Sequence, residues 1–484
     1  MLVLLLLGVL LYLFVWSMRL PGTGIPELPG KLPIIGHGLM FFGDGKHIHK
    51  TFKWLGEEAI KLGGVVSVNF GPIKVYIVAD PDDSAVVATN CLAKGFFYDF
   101  SNAYIGNGIL CAKLPLWKQQ RKALNPAFKQ QILNNFMDIF NNQGRRLIMQ
   151  LAAHGPGSFD HHHPILINNL ESSLQTLAGY HIDEIADKCD TYVQSVEEFL
   201  HIISERFSKI WWYSDYLFSF SDLKKRLDKC TNIIHSYSLN AIKKKRLERK
   251  FNSTSEKDLN CRTEETISLL DFILDQDKSK QFLTDEEIRE QIDIFLIASF
   301  DTSATALIYL LTVVGSYPEV QQKIYDEILA EVGDNKDVTK DVLPKLVYLE
   351  AVIKETLRMY SVVPAIARKT DIDLKLKNYT IPKGSSIGIM LGTLHQHPQW
   401  GPDAHQFRPE RWFTENLNVF APFSMGKRNC IGKVYAMMSM KVLLVHVFRH
   451  YKVTGDISNT EHRLGVLLKP ATGHHIKLDK RNKT

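Results

Sequence analysis

The stretch FSMGKRNCIG, residues 423–432, places one cysteine, Cys430, between Gly426 and Gly432 and two residues after Lys427–Arg428. An apolar run, KVYAMMSMKVLLVHVF (433–448), follows at once and reads as a helix. A thiol at the mouth of a helix faces unpaired backbone N–H groups and the positive helix end. With Lys427 and Arg428 beside it, this setting is expected to lower the thiol pKa and favour thiolate. A thiolate so placed is a nucleophile or a soft metal ligand, whereas the plain alternative is a small buried hydrophobe. No closely spaced second Cys or His supplies a zinc site, and a lone thiolate suits iron held otherwise by a macrocycle.

Outward from this stretch, the 484 residues are 45% hydrophobic, 10% aromatic and 23% charged, the balance of a globular protein with a large core. The 58 basic and 52 acidic residues give a net charge of +6, too diffuse for a nucleic-acid binder. Cys91, Cys111, Cys189, Cys230, Cys261 and Cys430 contain no CxxC pair and point to a reducing compartment.

Residues 1–18, MLVLLLLGVLLYLFVWSM, are apolar and uncharged, near the lower limit for a membrane span. No positive n-region precedes them and no small-x-small site follows, which favours an uncleaved anchor. Arg19 and Lys31 follow the run, so the expected topology keeps the rest of the chain cytosolic on a single-pass anchor, and the Asn252, Asn378 and Asn482 sequons unmodified. Residues 19–38 are rich in Pro and Gly and read as a stiff spacer; residues 39–484 form the globular domain.

Within that domain helical periodicity dominates, in LWKQQRKALNPAF, CDTYVQSVEEFLHIISERF, DEEIREQIDIFLIASFDTSATALIYLLTVVG, PEVQQKIYDEILAEVG and LVYLEAVIKETLRMYS. Strand-like runs are short: VVSVNF, VYIVAD, LKNYTIPKGSSIGIM and VLLKPATGHHIKLD. The fold class is mainly α (α+β), a large helical body with a small β-sheet subdomain. KKKRLERKFNSTSEKDLNCRTEET reads as an exposed loop after a basic helix end. His161–His163 point in different directions on any regular element and make a poor metal site.

FSMGKRNCIG resembles the haem-thiolate pattern Phe-x-x-Gly-x-Arg-x-Cys-x-Gly of the cytochrome P-450 monooxygenases, matching it at Phe423, Gly426, Arg428, Cys430 and Gly432. The resemblance runs from about residue 27 to 475 and is nearest to the microsomal family-four group, which includes fatty-acid chain-end hydroxylases. It implies haem b, held noncovalently with Cys430 as the axial thiolate and metal ligand. It also implies that Trp117 and Arg121 of LWKQQRK, Arg368 of AIARK and Arg428 reach the haem propionates. Glu355 and Arg358 of KETLR, at i, i+3, would join Arg411 of PERW in a structural charge triad. Asp301 and Thr302 of LIASFDTSA are the implied catalytic acid–alcohol pair that delivers protons during dioxygen cleavage.

Two departures from the family pattern stand out. Ser299 replaces the usual glycine of the oxygen-binding groove, and its hydroxyl is expected to bond back to the Phe295 carbonyl. Ala298 stands where many fatty-acid-hydroxylating relatives carry a haem-esterifying glutamate. Milder ones are a shortened segment between PERW and FSMG and Ser439 in place of a glutamate.

The implied activity inserts one atom of O2 into a lipophilic substrate with NADPH-derived electrons, taken from a flavoprotein reductase in the endoplasmic reticulum membrane. Lys427 and Lys433 would help dock that donor. A hydroperoxide isomerase or dehydratase and a non-catalytic lipid- or haem-binding member are the alternatives. The expected pocket combines FYDFSNAYIGNGIL, the Phe295–Asp301 face and SVVPAIA.

Overall fold

A helix of 32 residues, Asp285–Ser316, runs through the centre of the protein. Thr284 and Glu287 start it with a reciprocal capping box. It is long and apolar enough to cross a membrane, yet most of its apolar stretch is buried among other helices. A helix apolar on every side belongs inside a core. It packs against His162–Ser173 and the strand Tyr451–Gly455, while Cys189–Ser208 and Asp222–Thr254 pack on each other over it.

The computed structural model describes residues 24–185, 188–254, 267–280, 283–414 and 419–481, together with Gly8, Leu11 and Tyr12. The expected anchor, apart from those three residues, Cys261 and Asn482 lie outside the described residues, as do the side chain of Asn252 and residues 415–418 of the shortened segment.

The β subdomain is a five-stranded sheet ordered β1-β2-β5-β4-β3, with β1 Val65–Phe70, β2 Ile73–Val78, β3 Ala93–Lys94, β4 Ile366–Lys369 and β5 Ser386–Ile389. β2 and β5 run parallel and the other pairs are antiparallel. The β3–β4 register sets Lys94 opposite Arg368.

Two expectations are revised. From Gly24 onward the Pro/Gly-rich segment is docked on β1 rather than standing off as a stiff spacer: Leu28 N–H donates to Ser67 O at 3.0 Å and His37 N–H to Asn69 O at 2.7 Å. The basic segment 243–254 continues the helix Asp222–Thr254 instead of opening a loop; residues 255–266 lie outside the described residues. Its low mean hydropathy disguised a helix whose buried face is carried by residues such as Leu227, Ile234 and Ile242.

Candidate active site

Cys430 ends a loop that leads into the helix Lys433–His450, capped by Gly432. Its N–H donates to Phe423 O at 2.8 Å, and Asn429 N–H to Gly426 O at 3.2 Å, which curls the loop under the sulfur. Gly426 has φ 71°, and a Cβ there would lie 2.3 Å from the Ala88 carbonyl oxygen. Glycine is therefore required at 426 both by conformation and by close packing on the helix Pro81–Asn90. At Gly432 a Cβ would meet only Cys430 Sγ, at 3.8 Å.

The cysteine lies deep in the protein, yet its side chain is bared to an internal cavity of about 560 Å³. Burial raises the thiol pKa above its ordinary value, opposed by the Gly432 N–H, Arg121 and Lys433. This corrects the expected lowering by Lys427 and Arg428. Arg428 is turned away: it donates to Leu92 O at 3.0 Å, Ala112 O at 2.9 Å and Ile109 O at 3.4 Å, and stacks 4.1 Å above the Trp117 ring. Lys427 is exposed.

Trp117 and Arg121, one turn apart on Leu114–Leu124, both line the cavity. Arg121 reaches the cysteine loop and donates to Asn429 O at 2.8 Å and Oδ1 at 2.9 Å. Arg368 also lines the cavity, buried, with its Nε lacking a hydrogen-bond partner. Lys94 completes this group, and the sequence reading missed it. Burial, then Arg368 and Arg428, push its pKa well below the ordinary lysine value. Its one sequence signal was a cation beside the aromatic segment that follows it.

Among the described residues none of these four cations has a carboxylate partner, so the cluster suits a ligand bearing anionic groups. No group of three or more His, Cys, Asp or Glu capable of holding a metal occurs among the described residues. A metal at the lone sulfur would have to arrive in its own macrocycle. One sulfur facing an apolar cavity with cations at its edge fits haem with two propionates.

Asp301, Thr302, Ala298 and Ser299 of the central helix line the same cavity. Thr302 Oγ1 donates to Ala298 O at 2.6 Å. Asp301 is buried; its Oδ1 accepts from Lys469 Nζ at 2.6 Å, and its Oδ2 has no hydrogen-bond partner. Ser299 Oγ lies 3.2 Å from Leu296 O and 2.8 Å from Ser173 Oγ, not on the expected Phe295 carbonyl. The neighbouring helix offered a partner that single-helix reasoning could not see.

Glu355, Arg358 and Arg411 come together away from the cavity lining, all fully buried. Arg358 grips Glu355 through Nε at 3.0 Å and Nη2 at 2.8 Å, and Arg411 Nε reaches Glu355 Oε1 at 3.0 Å. Trp412 Nε1 and the Arg408 N–H also donate to Glu355, at 3.1 and 3.0 Å. Ser439, at the family's glutamate position, is buried on Lys433–His450.

The rest of the wall is apolar. The expected pocket segments contribute Phe97, Phe100, Phe295 and Val362–Ala367, but an aromatic group went unforeseen. Phe41, Phe52, Phe70 and Phe207 converge there, with Phe41 and Phe70 ring centroids 4.7 Å apart. They come from four separate segments, so no local pattern linked them. The helix Cys189–Ser208 roofs the cavity with Phe199, Leu200 and Ile203.

Residues 26–477 match the family model described as Cytochrome P450. The chain is 31% identical to "Cytochrome P450 4V2" of Mus musculus over 480 residues, 95% of this chain and 90% of that protein. It is 30% identical to "Cytochrome P450 4V2" of Rattus norvegicus over 488 residues, 96% and 91%. "Cytochrome P450 4d1" of Drosophila simulans is 29% identical over 473 residues, 93% and 92%.

Proposed function

The chain belongs to the cytochrome P450 family and is a monooxygenase, and from that premise we propose that it hydroxylates a lipophilic, membrane-dissolved substrate with O2 and electrons from an NADPH-dependent flavoprotein reductase. The observation that carries this reading is the Cys430 thiol bared to the same apolar cavity as Asp301 and Thr302. Haem, when bound, supplies reductive activation of dioxygen, with one oxygen atom going to substrate and the other to water.

The chain's own residues bind, orient and move protons. Cys430 would hold the iron through its sulfur, which the Phe423–Gly432 loop keeps in place. Arg121, Arg368 and Lys94 would bind the haem propionates, while Arg428, its donors taken by three backbone carbonyls and its guanidinium backed by Trp117, would add positive charge beside them. Asp301 and Thr302 carry protons into the cavity, Thr302 by turning its hydroxyl from the Ala298 carbonyl. The apolar wall excludes bulk water and selects hydrophobic substrates.

Exposed Leu39, Phe42, Trp211, Tyr216 and Phe220 support a membrane setting, joined to the 1–18 anchor and the endoplasmic reticulum. Phe42 and Trp211 ring centroids lie 5.6 Å apart, and adjacent Phe41 lines the cavity, so the apolar surface leads inward. Exposed Lys118 and Lys122 on the Arg121 helix, Lys427 in the cysteine loop and Lys433 at the start of the helix that follows it suit an acidic electron donor.

The test is the reduced protein under carbon monoxide, followed by turnover with reductase in reconstituted membranes. Expected are the red-shifted Soret band of thiolate ligation, its loss in Cys430→Ser, and NADPH-dependent product. An unchanged band in Cys430→Ser, or product from hydroperoxide alone, overturns the reading.

A further inference from the structure

Charge is unevenly placed on the cavity wall. Its four cations form one group beside the cysteine loop: Arg121 donates to Asn429 O at 2.8 Å, Arg428 belongs to that loop, and Lys94 lies opposite Arg368 across the β3–β4 pair. Among the described residues the one other charged side chain on the wall is the acid Asp301, which Lys469 already holds at 2.6 Å. Away from the cysteine loop and its helix, the central helix, and the cation group with Trp117 and Tyr98, the polar side chains on the described wall are Ser101 and Ser204. Both are uncharged.

The part of the wall that adjoins exposed Phe42 is instead aromatic, with Phe41, Phe52, Phe70, Phe97 and Phe207 all bordering the cavity. The Phe97 and Phe207 ring centroids lie 4.6 Å apart and those of Phe70 and Phe97 5.6 Å, both edge to face. Phe97 and Phe207 are only half-buried by protein, so their rings are bared to the cavity. The cations next to these rings in sequence are committed elsewhere. Arg206 lies 4.6 and 4.3 Å from the Phe100 and Phe218 centroids and pairs with Asp215, and Lys209 pairs with Glu205. Lys53, beside Phe52, is exposed and does not line the cavity.

A free fatty acid with its chain in this cavity would leave its carboxylate among phenylalanine rings, and a desolvated, unpaired charge is strongly disfavoured. Ring edges and faces favour π-bearing carbon beyond the area it buries. Resting on the monooxygenase reading, we propose that the substrate is an uncharged lipid carrying alkene or aromatic carbon rather than a free fatty acid, and that Phe97 and Phe207 are its specificity-determining residues. The unsaturated part lies among the rings, and the end to be hydroxylated reaches toward Thr302. This departs from the fatty-acid hydroxylases of the family-four group.

Spectral titration of the haem-loaded full chain tests this without turnover, through the Soret shift that a bound molecule produces. Dodecanol and dodecanoate at neutral pH test the charge: the alcohol should half-saturate at a concentration at least about ten-fold lower. Decylbenzene and hexadecane, equal in carbon number, test the rings. Phe97→Leu and Phe207→Leu should each weaken decylbenzene several-fold and leave hexadecane within about two-fold. Both substitutions keep an apolar side chain, and the reduced carbon monoxide band shows that each variant has kept its site. Dodecanoate binding as tightly as dodecanol, or variants that weaken the two hydrocarbons equally or not at all, overturns the proposal. A thiolate-type band in wild type with no shift from any of these probes sinks this inference alone, whereas a wild type lacking that band sinks the monooxygenase reading with it.

Discussion

Arg411 meets Glu355 across 56 residues of chain, Nε to Oε1 at 3.0 Å, with neither side chain exposed to solvent. Glu355 accepts from Arg358, Arg411, Trp412 and the Arg408 backbone, so its two oxygens are saturated. Arg358 in turn donates to His395 O at 3.0 Å and Gln406 O at 3.1 Å, tying the segment that precedes the cysteine loop to its helix.

Removing one partner strands the others' charges. Glu355→Ala or Arg411→Met should cost about 3–5 kcal/mol, read by urea unfolding. A loss below about 1 kcal/mol, the range of exposed pairs, would show that the network is not shielded as described.

Gly426→Ala should damage the cysteine loop more than a helix glycine would. A Cβ must coexist with φ 71° and with backbone oxygen 2.3 Å away, and the oxygen cannot move as a side-chain tip could. Strain of this kind costs roughly 1–3 kcal/mol before the clash is counted. The expected readout is a reduced carbon monoxide complex with a weakened thiolate-type band, while far-UV circular dichroism is retained.

Haem should leave the protein completely in acidified organic solvent. Ala298 lines the cavity and has no carboxyl group with which to form an ester. Pigment remaining on the acid-extracted chain would contradict this. Ala298→Glu supplies the missing carboxyl and is the variant in which retention is expected.

Acid should destabilise the fold through buried neutral histidines. Burial lowers His395 to about 3, with Arg358 adding to it, His446 to about 3, and His161 to about 4. Unfolded, each titrates near its ordinary 6.5, so below that pH the unfolded chain binds more protons. Their stabilisation is complete above pH 6.5 and is lost as pH falls toward 4 and then 3. Each removes up to about 1.4 kcal/mol per pH unit in that window. His395 shows the cause: Nε2 accepts from the Ala421 N–H at 3.0 Å and Nδ1 faces Ser361 Oγ, leaving no room for a second proton without losing a bond. Urea titrations at pH 7 and pH 5 should differ, and His395→Gln should flatten the slope by one proton.

What the sequence disclosed followed from locality. The i, i+3 pair Glu355–Arg358, the i, i+4 pair Trp117–Arg121 and the glycine-bounded cysteine each lie within one turn or loop, where spacing dictates neighbours. Partners supplied by distant segments were invisible: Lys469 for Asp301, Ser173 for Ser299, Lys94 beside Arg368, and the phenylalanines at 41, 52, 70 and 207. The thiol pKa was misjudged for the same reason. Adjacent Lys427 and Arg428 suggested a field that the fold redirects, because Arg428 spends its donors on three carbonyls.

The central helix has a bearing on biosynthesis. Before the chain folds, Asp285–Ser316 has the length and hydropathy of a membrane-spanning segment. Asp293 and Asp301 oppose insertion, since an aspartate mid-bilayer is penalised by about 2.5–3.5 kcal/mol. Once the chain folds, the same two carboxylates find Arg289 and Lys469. Charges that count against the segment in lipid are thus reconciled inside the protein, and one sequence keeps its own apolar helix out of a bilayer and in the core.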